Sequence, residues 1–187
     1  MLKFPKMEKK DAHLEKFKSA ITSTIKSISK KKDFEIHFGK TVSNNKKNIN
    51  LPEIKELDSL KDYIHIRAKA DSEALRLKYS NEDIFNKYTP NGKNSLNLYK
   101  IAEKVRYEKI GSEEFKGIKQ NLFSAYNERK IDTKSPSVYL QESFDSYLRN
   151  IFFKNEKGKE NYPGLKKIKK NLDTILKKNI DFLKTNL

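Results

Sequence analysis

The triplet Gly39-Lys40-Thr41 is the first grouping in this chain whose residue types suggest chemistry. It closes the stretch FEIHFGKT (34–41) behind a strand-like segment, as a phosphate-cradling loop does. Such a loop opens on a glycine four free positions ahead of the Gly-Lys pair; Phe34 stands there, and no helix start follows Thr41. The second Gly-Lys pair, in TPNGKNS, has Lys87 at the first-glycine position and Asn94 in place of the hydroxyl that would reach magnesium. Neither pair supports nucleotide binding by this chain. His13, His37 and His65 lie on separate expected elements without the short spacings of metal ligands, and read as surface or half-buried side chains. Asp132, Ser135 and Ser137 approach an Asp-x-Ser-x-Ser cation site, but the first interval is one residue too long and no apolar strand precedes it. The adjacent acids Glu82-Asp83 and Glu113-Glu114 point in different directions on a helix, which suits caps and solvated faces rather than an acid-base pair. There remains KVRYEKIGSEEFKGI (104–118), which carries Arg106 and Glu108. Glu103 and Arg106 have the spacing of a helical ion pair, worth about 0.2–0.5 kcal/mol, so a structural buttress is the first reading of Arg106.

No catalytic, cofactor-binding or metal-binding residue is therefore assigned. The chain has no cysteine, which excludes disulfides, zinc-thiolate sites, iron-sulfur clusters and thiol catalysis. Its net charge of +16 favours an anionic partner: nucleic acid, an acidic membrane surface or an acidic protein segment. Only five of its 41 basic residues are arginine (Arg67, Arg76, Arg106, Arg129 and Arg149), isoleucine outnumbers valine, and asparagine is abundant. That is the signature of an A/T-rich coding sequence, which supplies part of the lysine. Arginine is also the residue whose planar fork reads guanine, so sequence-specific nucleic-acid recognition is not expected. Non-specific binding of nucleic acid or another polyanion by a basic helical protein stands as the alternative function. The basic start of the chain lacks an apolar stretch of signal-peptide length, and no 18 apolar residues occur in a row, so a soluble, cytoplasmic protein is expected.

The elements that must carry these residues are mainly helical. A length of 187 residues, with about a quarter Leu, Ile, Val and Phe, suits one compact multi-helix domain. Phe17, Ile21, Ile25 and Ile28 predict a helix from Leu14 that ends in the Lys30–Lys32 run. Alternation in DFEIHF (33–38) and the short NINL predict two strands, read as a small β-hairpin. From Leu57, with Asp58 or Ser59 as cap, a long helix is expected to about Tyr88, followed by the turn-rich loop YTPNGKNS (88–95). Leu98, Ile101, Ala102 and Val105 mark the next helix. Gly111 is expected to end it in a left-handed conformation, with Ser112 capping a further helix through Phe115, Ile118, Leu122 and Tyr126 and with Glu113 and Glu114 in its first turn. Two more helices follow, over Leu140–Phe152 and over 165–187, the second amphipathic and basic, joined by a 154–164 linker; the core is expected over about 11–153. Packing on its own domain is the first reading of that last helix, ahead of docking on a partner or an anionic membrane.

Several stretches are more specific than composition. FKSAITSTIKSI, DFEIHFGK, LPEI, RAKADSEALRLKYSNEDIFNKYTPNGKNS and KIAEKVRYEKIGSEEFKGIKQNL occur in that order over about residues 14–122. The chain there resembles the amino-terminal region of the T subunit of aerobic cobaltochelatase, the CobT family. The likeness is sharpest at Asp71-Ser72, Ala74-Leu75-Arg76, Tyr88 with Pro90 and Gly92, and Arg106, Glu108, Ile110, Gly111 and Ser112. The resemblance implies a part in ATP-driven cobalt insertion into the corrin ring (hydrogenobyrinic acid a,c-diamide) during cobalamin synthesis. The implied partners are an AAA+ ATPase subunit and a large tetrapyrrole-binding subunit, in a complex that uses ATP, Mg and Co. The T subunit is not the one that inserts the metal. Family members continue into a von Willebrand factor A domain with a metal-dependent adhesion site; that sequence is absent from these 187 residues, so its magnesium function is not carried over. Nor is a ligand role carried to Ser80 or Phe85, where the family often has histidine.

Overall fold

A computed structural model describes residues 6–39, 48–54, 60–129, 135–153 and 162–185. Among these residues the chain forms α1 (Lys6–Ser29), β1 (Glu35–Phe38), β2 (Asn48–Leu51), α2 (Leu60–Tyr79), α3 (Glu82–Lys87), α4 (Lys93–Glu114), α5 (Lys116–Glu128), α6 (Pro136–Phe153) and α7 (Lys169–Thr185), with a 3-10 turn at Pro163–Leu165. The mainly α class expected from periodicity holds. The chain divides into two compact units, one of Met1–Tyr79 with Phe115–Glu128, the other of Ser80–Glu114 with Arg129–Leu187. No helix among the described residues is long and apolar enough to cross a membrane.

In the first unit, Phe17, Ile21 and Ile25 recur every four residues and so share one face of α1. They are buried with Ile66, Ala70 and Ala74, spaced the same way on α2, and with Ile49, Leu51 and Ile54. α2 packs against α1 and also against α5, whose Ile118 and Leu122 are buried. α1 stops where the lysine run begins: Lys30 takes a left-handed φ of 55°, and its N–H donates to the Lys26 carbonyl at 3.1 Å.

Both strands form where alternation placed them, but they run parallel, pairing Glu35 with Asn48 and Phe38 with Leu51, so the expected hairpin is corrected to a crossover. Alternation fixes which side chains face the core and is the same for either strand direction. Likewise α2 ends at Tyr79 and does not run on to Tyr88. Asn81 takes an extended backbone, and its side-chain oxygen accepts from the Ile84 N–H, which starts α3 as a separate helix. The expected caps Asp58 and Ser59 lie outside the described residues.

In the second unit, α4 packs against α6, and α6 against the 3-10 turn. α4 begins inside the expected loop, at Lys93, because Gly92 (φ 99°) turns the chain and its carbonyl accepts from the Leu96 N–H at 3.0 Å. The expected corner at Gly111-Ser112 is corrected too: α4 continues through both to Glu114 and breaks at Phe115, so Glu113 and Glu114 fall in its last turn. Glycine inside a helix costs about 1 kcal/mol. Here Val105, Glu108, Gly111 and Ser112 form one buried stripe, and Glu108 on it is bonded to Arg149 of α6, which holds the helix on course through the glycine.

α6 starts with Pro136 at its first position, where a missing N–H is harmless, and the Ser135 carbonyl accepts from Tyr139 N–H at 2.8 Å. Tyr147 and Leu148 join Val105, Tyr162 and Leu165 in the core, with Leu172 and Leu176 of α7 packed on it, as expected for the last helix. That helix begins at Lys169 rather than Leu165. The preceding turn lies so close to α6 that a Cβ on Gly164 would stand 2.8 Å from the Tyr139 carbonyl oxygen and 2.6 Å from Ser143 Oγ. Such contact holds the chain in 3-10 form until it clears α6.

Candidate functional site

Asp71 sits on α2 fully buried, with Ser72 buried beside it. Asn121 of α5 donates to its Oδ2 at 2.7 Å, and Arg67 Nε lies 3.4 Å from Oδ1. Arg67 in turn reaches Thr24 of α1 at 3.5 Å. Burial pushes the Asp71 carboxyl up, and the Asn121 bond with the Arg67 charge offsets this only in part. Asp71 thus links the helices that flank α2. Arg76 pairs with Glu73 at 2.8 Å, as does Lys69.

In the second unit, Arg106 and Glu108 have different fates although two positions apart. Arg106 forms a two-pronged pair with Glu103, Nε to Oε2 and Nη2 to Oε1 at 2.7 Å each, and Ser80 donates to the same Glu103 at 2.6 Å. Burial pushes the Glu103 carboxyl up, but the Arg106 and Ser80 bonds outweigh it and hold it below the ordinary range. Glu108 faces inward, and its Oε2 accepts from Arg149 Nη2 at 2.6 Å. Arg149 Nε donates to Asp145 at 3.0 Å, and Arg129 Nη2 lies 2.7 Å from both Asp145 and Glu142. With Lys104 3.9 Å from Glu108, six charges alternate in sign from Lys104 to Glu142, three of each. Burial alone would push Arg149 down, but Glu108 and Asp145 more than offset it and hold the guanidinium charged. Gly111 and Ser112 are buried on the Glu108 face of α4.

Tyr88, Pro90 and Gly92 are placed apart from these clusters. Tyr88 is 62% exposed with the Lys87 ammonium 5.3 Å above its ring, and Pro90 is half-buried. Gly92 has open space around a would-be Cβ, so its backbone angle is what calls for glycine. Phe85 stacks on Tyr99 at 4.8 Å.

Sequence reasoning missed Asn121, Asp145 and Arg149, whose partners lie 50, 4 and 41 residues away. One signal was available: in a chain so rich in lysine, the five arginines mark places where a planar fork is needed, and every one of them is ion-paired. Among the described residues no three His, Asp or Glu side chains gather to hold a metal.

These arrangements define a class: a helical protein whose buried charges, among the described residues, are engaged by oppositely charged or amide side chains, several of them on neighbouring helices. The family described as cobalamin biosynthesis protein CobT matches residues 11–143, and the chain belongs to that family, with a role in cobalamin biosynthesis. Comparison with curated proteins and with solved structures gave no match.

Proposed function

We propose that the chain is a non-catalytic subunit module of the ATP-dependent cobaltochelatase that inserts cobalt into the corrin ring of hydrogenobyrinic acid a,c-diamide. It acts in the cytoplasm in complex assembly, bound to an AAA+ ATPase subunit and a large tetrapyrrole-binding subunit, and is oligomeric within that complex. Cobalt is the substrate, while ATP and Mg are used by the complex. Family membership supports this reading. The observation that carries it is the fate of carboxylates in the motif stretches: Asp71, Glu103 and Glu108 are each tied to an amide or guanidinium, which suits a rigid frame.

The test is sizing chromatography of the purified chain with the AAA+ subunit of the same organism, both at micromolar concentration with ATP and Mg. Co-elution is expected. Clean separation of the two proteins, repeated in the presence of the tetrapyrrole-binding subunit, would overturn the proposal.

A further inference from the structure

β1 and β2 form a sheet of two strands, so each strand is also an edge. β2 is the deeper one, with Ile49 and Leu51 buried and α2 packed on it. Every residue of β1 keeps some exposure. The ladder fixes where the backbone groups of β1 point. Gly39 N–H donates to the Leu51 carbonyl at 3.0 Å, and in a parallel pair the bonding residues alternate along the strand, so His37 turns its peptide groups toward β2 as Gly39 does. Ile36 and Phe38 turn theirs the other way. Among the described residues no backbone group outside the sheet bonds to them there. Their side chains are partly buried against the core of the first unit, whereas Glu35 and His37 lie on the opposite face of the strand. Just ahead of β1, Lys30, Lys31 and Lys32 are exposed and outnumber the exposed Asp33 beside them. No ion pair joins these three lysines to a carboxylate among the described residues.

We propose that the outer edge of β1 takes an added strand: an extended segment of another protein, apolar at alternate positions and acidic where it passes Lys30–Lys32. The unpaired N–H and C=O groups of Ile36 and Phe38 select a polypeptide. Their alternating donors and acceptors match a second backbone, and neither a phosphate chain nor a lipid surface carries that pattern. Register then sets the alternation, because every second side chain of the added strand falls on the apolar face beside Ile36 and Phe38. Charge argues against a second copy as the occupant: pairing two β1 edges brings together two chains of net charge +16, each with a lysine run where the strand begins. An acidic segment is attracted to the same place. The inference stands apart from the cobaltochelatase reading.

NMR titration and amide hydrogen exchange on the isotope-labelled full chain test it. The probe is a peptide of alternating valine and threonine with a block of glutamates, placed at its first positions for a parallel partner and at its last for an antiparallel one. The better of the two is expected to protect the Ile36 and Phe38 amides and to leave His37 and Gly39, already bonded to β2, as they were. Two N-methylated forms of that probe separate backbone pairing from side-chain contact. Methyl groups on one alternate set of amides fall between the strands and are expected to weaken binding at least about tenfold, whereas those on the other set point away and change it by less than about twofold. The triple variant Lys30→Gln, Lys31→Gln, Lys32→Gln is expected to weaken binding severalfold and still to show Ile36 protection at saturating probe. Equal loss from both methylated forms, unchanged affinity in the lysine variant, protection that appears away from β1, or no binding up to about 1 mM would overturn the proposal. So would protection of the same amides by poly-glutamate as tight as the probe, by a single-stranded oligonucleotide or by phosphatidylserine vesicles. Protection at β1 that grows with protein concentration before any probe is added would overturn it too, because the occupant is then a second copy.

Discussion

Arg149 places Nη2 on Glu108 of α4 and Nε on Asp145 of its own helix, and all three side chains are buried. Replacing a buried ion pair with apolar residues can be neutral, but removing one member strands the other without solvent. Arg149→Met removes the guanidinium that the Glu108 carboxylate meets at 2.6 Å, and is expected to lower the unfolding free energy by about 3–5 kcal/mol. Arg106→Met breaks a bond as short, yet Arg106 is one-third exposed, so water can solvate the Glu103 left behind and the loss is expected to stay within about 1 kcal/mol. Urea denaturation followed by circular dichroism measures both, and a larger loss for Arg106 would mean that the Glu108 side of the network contributes little. If the Glu108–Arg149 pair acts as a unit, Glu108→Gln combined with Arg149→Met costs less than the sum of the two single changes.

At the scale of elements, close approach rather than helix propensity decides where the last helix begins. A methyl group at Gly164 would collide with backbone, the Tyr139 carbonyl, which cannot swing aside as a side-chain tip can. Gly164→Ala is therefore expected to destabilise the chain by about 1–3 kcal/mol. Gly117, in the first turn of α5, has no neighbour within 4 Å of a would-be Cβ, so Gly117→Ala is expected to stabilise by about 0.4–1 kcal/mol through the unfolded chain. Thermal unfolding of the two variants beside the native chain checks the opposite signs. Most helices and both strands were legible because Phe17-Ile21-Ile25 and the Phe34 alternation repeat at the period of the element that buries them. What failed was punctuation. Gly111 and Ser112 have the chemistry of a helix stop, yet they lie on a buried stripe whose central member is the charged Glu108, so a search for apolar periodicity loses the stripe at Val105. Half of each polar cluster was legible for the same reason. Asp71 and Glu108 sit in recognisable stretches, while Asn121 and Arg149 become their partners only through helix packing.

Across the whole molecule, chain order and spatial units are interleaved: the chain leaves the first unit after Tyr79, returns for α5, and leaves again at Arg129. The family match ends at residue 143, in the middle of α6, and that is no physical boundary. The core of the first unit, from Phe17 to Ala74, and its partner helix α5 are complete by Glu128. The second unit draws Tyr147, Leu148, Tyr162 and Leu165 from beyond the match, together with the Arg149 that neutralises Glu108. Each buried apolar side chain of this kind contributes about 1.5–3 kcal/mol, so the four lost from a chain cut after residue 143 amount to about 6–12 kcal/mol, as much as the whole margin by which a domain is stable, and Glu108 loses its Arg149 partner as well. Hydrogen exchange on that truncated chain is expected to show α2 amides still protected near Ala70 and Ala74, with α4 amides around Val105 and Glu108 exchanging as in an open chain. Retained protection across α4 would show that its fold is specified without α6's last turns. Protection lost in both helices would show that the first unit needs the second to fold.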